Sequence, residues 1–207
     1  MISCHVLSLE HFAKLAENHR DDLNVDVQEF DIGGKYFAFN NMPHFMGVVN
    51  LSPDSWYRES VCLTTKCAVG RGQLLIEQGA HLVDLGGEST VLDAEKVDAE
   101  DQSSRLVPVI KELAQAGILV SAETYKSSVA RACLESGAAV INLTGPGESE
   151  EIYRMAAAHD AAVIICFVQG DNVRSVGDRD LPEDPITLLT DYFDLEIQRA
   201  VDAGLTK

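Results

Sequence analysis

One unit recurs in this chain and leaves few folds open to it: a helix stopped at glycine, a short apolar run, and a polar residue where the run ends. Gly79 precedes the run 81–85, Gly117 precedes 118–124, and Gly137 precedes 138–142. His159-Asp160 stands in the same place before 161–166, and an opening run at 45–50 brings the count to five. Apolar runs that are continuous rather than alternating read as strands buried on both faces. Between them the periodicity predicts helices near 64–78, 98–116, 127–136, 148–159 and 185–203. Strand–helix alternation of this kind makes βαβ units and a parallel sheet, so the fold class is α/β. On pattern alone two closures stay open. One is an open five-stranded sheet with a switch point; the other is a barrel, whose eight units need about 250 residues. Gly70 and Gly72 inside the first of these helices point to close packing or to a later helix start.

The first 44 residues read differently. Residues 8–20 predict a short amphipathic helix with Ser8 as its N-cap, and 25–39 predict a β-hairpin turning at Gly33-Gly34. The chain therefore divides into a lead-in, 1–44, and a main domain, 45–207.

The 207 residues carry 33 acids against 16 bases, a formal net charge of -17. Nucleic acid is not expected as a partner, because phosphate backbones need basic surface. An anionic ligand must be held by local devices: a helix N-terminus, a metal ion or a few placed cations. No apolar run approaches the roughly 20 residues of a membrane span, and no secretory leader is expected at the N-terminus. Five scattered cysteines, Cys4, Cys62, Cys67, Cys133 and Cys166, read as reduced thiols of a cytoplasmic protein. Cys62 and Cys67 lack the second pair a zinc site needs, and the six histidines show no ligand spacing.

The candidate chemistry lies where the strands end. Asn50 with Ser52 and Asp54, Glu88-Ser89-Thr90 after Gly86-Gly87, Glu123 with Thr124 and Lys126, Asn142 with Thr144, and Gln169 all follow apolar runs. Parallel neighbouring strands bring such residues to one rim, where α/β proteins bind ligands. Glu123 and Asn142 together match the N–H and C=O groups of a polar heterocycle. Asn50, Thr90 and backbone N–H groups suit an oxyanion or its magnesium ion. No Ser-His-Asp or Cys-His arrangement is visible, so covalent hydrolytic chemistry is not expected.

Together these motifs resemble dihydropteroate synthase, the pterin-binding barrel family of folate synthesis. Residues 46–56, MGVVNLSPDSW, are similar to that family's M-G-I-L-N-V-T-P-D-S-F, and 82–90, LVDLGGEST, to I-I-D-V-G-G-E-S-T. Residues 120–126, VSAETYK, resemble V-S-V-D-T-Y-K; Val140-Ile141-Asn142 resembles I-I-N-D, and Val168-Gln169-Gly170 resembles M-Q-G. The resemblance runs from about 45 to 204. It implies a (β/α)8 TIM-type barrel, of which this chain carries about five βα units. It also implies a transferase that joins a hydroxymethyl-dihydropterin pyrophosphate to p-aminobenzoate, with Mg2+ and loss of pyrophosphate. Carried over by motif, Asn50, Ser89 and Thr90 face the pyrophosphate, with Asn50 also on the metal. Glu123, Asn142 and Gln169 face the pterin.

The chain departs from the family at defined places. Val91-Leu92 stands where the family has Arg-Pro, which removes a cation near the leaving phosphate. Glu123 replaces an Asp, so the same hydrogen bond needs a shifted pterin. Leu143 replaces the Asp after Asn142, and Cys166-Phe167-Val168 replaces Met-His-Met. The family's last three strands, with an Asp, a Lys and an Arg-x-His pair, have no counterpart in these residues. The barrel is therefore expected to be completed by further sequence, by a complementing chain or by a second copy in a homodimer. The departures also leave two alternatives to the synthase: a catalytically degenerate pterin-binding or interaction module, and a pterin-dependent methyltransferase-type domain, against which the Gly-Gly-Glu-Ser-Thr motif weighs.

Overall fold

The computed structural model describes residues 8–91, 94–174 and 182–206. Helix α1 (Leu9–Asn18) and the hairpin strands β1 (Phe30–Ile32) and β2 (Lys35–Phe37) come first. Five strand–helix units follow: β3 (Met46–Asn50) and α2 (Thr65–Glu77), β4 (Leu82–Gly86) and α3 (Ala99–Gln115), β5 (Val120–Thr124) and α4 (Ser127–Glu135), β6 (Val140–Leu143) and α5 (Ser149–Ala158), β7 (Ala162–Ile165) and α6 (Pro185–Asp202). The five strands are all parallel and lie in the sheet in the order of the sequence, β3-β4-β5-β6-β7. A doubly wound sheet reverses its strand order at a switch point; here nothing reverses, and the sheet is an arc of a barrel.

The caps explain where the helices start and stop. Thr64 accepts from the Cys67 N–H at the start of α2, and Asp98 accepts from the Asp101 N–H at the start of α3. Asp184 accepts from the N–H groups of Ile186 and Thr187, with Pro185 at the first helical position of α6. Helices α2, α3, α4 and α6 leave through glycines with positive φ, and Asp160 (φ 52°) takes that conformation after α5. The helix α2 begins at Thr65 and runs through both of its glycines. At Gly72 a Cβ would stand 3.1 Å from both methyls of Leu113, so this glycine serves close packing on α3; at Gly70 a Cβ would meet nothing within 4 Å.

Alternation along the strands sorts the side chains. Val49, Val83, Leu85, Val120, Ala122 and Ile141 face the helices and pack with Leu106, Val109, Ile110, Leu113, Val129 and Ile152. Each fully buried aliphatic side chain there contributes about 1.5–3 kcal/mol. The other set, which includes Asp84, Ser121, Glu123 and Asn142, faces the concave side. At the amino ends of the strands the hairpin closes that side: Phe37 packs with Leu82, Leu119 and Val140. Its turn places Gly33 and Gly34 at φ 55° and 77°, with Asp31 accepting from the Gly34 N–H at 2.8 Å. His44 and His81, which carry no ligand spacing in the sequence, pack edge-on or tilted against each other and Phe37, and His44 also against Phe39, below the strands. Among the described residues, no helix is long and apolar enough to cross a membrane. Cys4 and Leu92 lie outside the described residues.

Candidate active site at the carboxyl rim

Gly86 is the floor of the site. It pairs in register with Asn50 on β3 and Glu123 on β5, so those two side chains approach each other over a residue that has none. A Cβ on Gly86 would stand 2.8 Å from Asn50 Oδ1 and 3.1 Å from Glu123 Oε2. Asn50 is held from the far side: its Nδ2 donates to Ser60 Oγ at 2.7 Å, and Ser60 Oγ donates to the Tyr57 carbonyl at 2.6 Å. This leaves Asn50 Oδ1 turned toward Glu123 Oε2. An amide oxygen is a hard donor of the kind magnesium takes, and Asn50 Oδ1 is the residue here that could offer one.

One layer deeper, Asp84 is buried in the middle of β4. Its two oxygens accept from Ser121 Oγ at 2.6 Å and from Asn142 Nδ2 at 3.1 Å. Burial pushes the Asp84 carboxyl up, and the two hydrogen bonds oppose that shift. Glu123 is pushed up to about 8, first by burial and next by the charge of Asp84. The Thr144 hydroxyl opposes the shift and the Glu88 charge adds to it. Asn142 Oδ1 lies 3.4 Å from the Cys166 thiol, which donates to it. Asn142 thus bridges Asp84 and the end of β7, its orientation fixed from both sides.

The loops above this floor are tied by charge. Glu88 is buried and accepts from the Val97 N–H at 2.9 Å and from the Tyr125 hydroxyl at 2.7 Å. Arg174, from the segment after β7, brings Nη1 within 3.3 Å of Glu88 Oε1; the two side chains are 4% and 7% exposed. The same guanidinium donates to the carbonyls of Ser89, Glu95 and Ala94. Its segment reaches the rim because Val173 N–H donates to the Thr144 carbonyl at 2.9 Å and Gly145 lets the backbone of Asp171-Asn172 pass closely.

The predicted residues separate into those on the floor and those on the loops. Asn50, Glu123 and Asn142 converge with Asp84. Thr90 is exposed and lines a crevice with Glu123, Tyr125, Thr144 and Arg174. Ser89 lines it too, but its hydroxyl is engaged, donating to the Asp54 carbonyl at 2.9 Å and accepting from the Val91 N–H at 3.2 Å. Gln169 is half-buried in the segment after β7. Lys126 turns away from the floor, its Nζ donating to the Val97 carbonyl at 2.6 Å. Asp84, Ser121, Tyr125 and Arg174 are not among the residues that the strand-end pattern singles out. Asp84 carried a usable signal, a carboxylate inside a continuous apolar run, which must find partners once buried. Arg174 carried none, because its contacts lie about eighty residues away along the chain.

A sequential parallel arc with buried carboxylates, amides and hydroxyls gathered at its carboxyl rim defines a barrel of the enzyme-bearing kind. The chain belongs to the pterin binding enzyme family, whose model matches residues 46–207. It is 34% identical over 176 residues to the dihydropteroate synthase of Streptococcus pyogenes serotype M1, covering 84% of this chain and 63% of that protein. The chain thus spans under two thirds of the length of that relative. Among solved structures it resembles the Yersinia pestis dihydropteroate synthase in complex with a sulfonamide drug, with TM-score 0.73, 28% identity, and 86% of this chain and 65% of that one covered. It also resembles the Burkholderia cenocepacia dihydropteroate synthase complexed with 7,8-dihydropteroate, with TM-score 0.73, 26% identity, and coverage of 86% and 60%.

Proposed function

We propose that this chain forms the pterin and pyrophosphate side of a dihydropteroate synthase. The observation that carries the reading is the approach of Asn50 and Glu123 over the bare backbone of Gly86, with Asp84 and Asn142 hydrogen-bonded to each other one layer below. In the reaction, the bond between the pterin's methylene carbon and the pyrophosphate oxygen breaks, and the amine nitrogen of p-aminobenzoate bonds to that carbon. Pyrophosphate leaves with the bonding electron pair, and the amine gives up one proton. Asn142 and Glu123 hold the pterin ring, with Gln169 at the β7 side. Asn50 and Thr90 face the leaving pyrophosphate, and Ser89 holds their loops together. Asn50 would hold magnesium through its side-chain oxygen, and the ion would supply positive charge to neutralise the leaving anion. The protein's own contribution is positioning and the exclusion of water from a buried floor.

Two features support completion of the barrel by further strands, from more of the polypeptide, a complementing chain or a second copy. Among the described residues, strands β3 and β7 each have a single neighbour in the sheet, and Met46, Val48 and Ile164 stand exposed on these two edge strands, on the concave side. A cytoplasmic location agrees with the free thiols of Cys62, Cys67, Cys133 and Cys166.

Calorimetric titration with the dihydropterin pyrophosphate in the presence of magnesium tests the reading. The wild-type chain binds, and Asn142→Ala binds more weakly by about 1–3 kcal/mol, because buried polar atoms of the ring lose their partner. Equal affinity in the two proteins would place the pterin elsewhere. A second reading, binding without turnover, is favoured by Val91 and Leu143 at positions where the family carries charge. Release of pyrophosphate on adding p-aminobenzoate decides against it.

A further inference from the structure

The loop that leaves β3 comes back to it. Val61 makes a parallel bridge with Asn50, and the Cys62 N–H donates to the Asn50 carbonyl at 2.8 Å. Two residues beyond Cys62, Thr64 caps α2, which places Cys67 in the first turn of that helix. This tight return brings the two thiols together, with Cys62 Sγ 2.8 Å from Cys67 Sγ. Both cysteines are free; Cys62 is buried and Cys67 is exposed. Burial first, and the neighbouring Cys67 next, push the Cys62 thiol up to about 11, while the charge of Arg71 opposes the shift. The exposed sulfur meets solvent and the buried one lies in contact behind it, an arrangement suited to a two-step exchange.

We propose that Cys62 and Cys67 are a redox pair that closes to an intrachain disulfide on meeting a small-molecule disulfide, tying the segment that holds Asn50 to the first turn of α2. The Cys67 thiolate attacks one sulfur of the oxidant; the oxidant's S–S bond breaks, and its other half leaves as a thiolate that takes up a proton. Cys67 then carries a mixed disulfide. Cys62 gives its proton to solvent and attacks the Cys67 sulfur, and the second half of the oxidant leaves as a thiol. Two cysteine thiols lose two electrons, and the external disulfide is reduced to two thiols. Because Cys62 and Asn50 share a backbone hydrogen bond, closing this link restrains the rim beside the proposed pyrophosphate position. Neither thiol contacts the ligand in the function proposed above, so the two proposals fail independently.

The test is incubation of the full chain with glutathione disulfide, alkylation of the remaining thiols, and tryptic mapping without reduction. The expected result is a link between the peptides 59–66 and 67–71, or the uncleaved peptide 59–71 lighter by two hydrogens. In Cys62→Ser, glutathione stays attached to Cys67, whereas the wild-type protein retains none there. Hydrogen exchange at the Cys62 amide slows several-fold in the oxidised protein and recovers on reduction. Persistent glutathione on wild-type Cys67, unmodified thiols in excess oxidant, or a link from Cys67 to a different cysteine would overturn the pair. Unchanged exchange at Cys62 in a linked protein would overturn its coupling to Asn50.

Discussion

Gly86 shows how little a side chain needs to do to make a site. The third strand-end motif of the sequence reading supplies Glu123, the first supplies Asn50, and both depend on a hydrogen at the position between them. Gly86→Ala puts a methyl 2.8 Å from Asn50 Oδ1, closer than real Cβ contacts come, and 3.1 Å from Glu123 Oε2, a tight contact. The backbone of β4 is fixed by neighbours on both sides, so the side chains must give way. The expected outcome is a fold that survives, since packing on the helix side is untouched, with affinity for pyrophosphate and magnesium reduced about tenfold or more, equivalent to about 1.4 kcal/mol. Calorimetry on the folded variant, with its circular dichroism unchanged, checks this. Glu123 also shows what residue identity alone hides. Its extra methylene relative to the family's Asp is visible in the sequence, but its raised pKa comes from burial and from Asp84, a residue 39 positions earlier.

The elements were the most legible part of the molecule. Every barrel helix and strand read from periodicity appears where the pattern put it, because each apolar run is continuous and each helix is stopped by a glycine or by Asp160 at positive φ. Less legible was how loops from different units lock together. Arg174 lies after β7 and clamps the loop after β4, holding Glu88 and three backbone carbonyls in one guanidinium fork. No spacing rule connects two such loops, since the contact exists only after the strands are side by side. Arg174→Ala leaves Glu88 buried without its cation, which costs about 3–5 kcal/mol. Urea unfolding should register that loss, and Arg174→Lys should recover only part of it, because an ammonium does not reproduce the fork. Equal midpoints for wild type and Arg174→Ala would mean that the Tyr125 and Val97 hydrogen bonds suffice to hold Glu88.

At the scale of the whole molecule, the lead-in docks on the last barrel helix across some 165 residues, a contact that no local pattern encodes. Helix α1 meets the segment that starts α6. His19 Nε2 lies 2.9 Å from Asp184 Oδ2, and its Nδ1 lies 3.3 Å from Asp22 Oδ2. Lys14 pairs with Glu183, whose carbonyl also lies 2.7 Å from His11 Nε2. Carboxylates on both ring nitrogens of His19 call for the imidazolium. Its pKa is raised, chiefly by the hydrogen bond to Asp184, and that of Asp184 is lowered by the same bond. The raised histidine stabilises the docked helix fully below its unfolded pKa of about 6.5, and this contribution disappears as the pH climbs through the higher folded value. The lowered aspartate contributes above its unfolded value of about 3.9, and its share is lost as the pH falls through the folded one. Docking of α1 is therefore strongest between about pH 4 and 6.5, and weakens on the alkaline side while the strands β3 to β7, which hold none of these groups, stay paired. An NMR titration of the His19 ring checks the assignment. Its midpoint should lie above the ordinary histidine value and return toward it in Asp184→Asn, which keeps the cap on α6 but removes the charge. A midpoint that does not move in that variant would assign the shift to Asp22 and remove the link between α1 and α6.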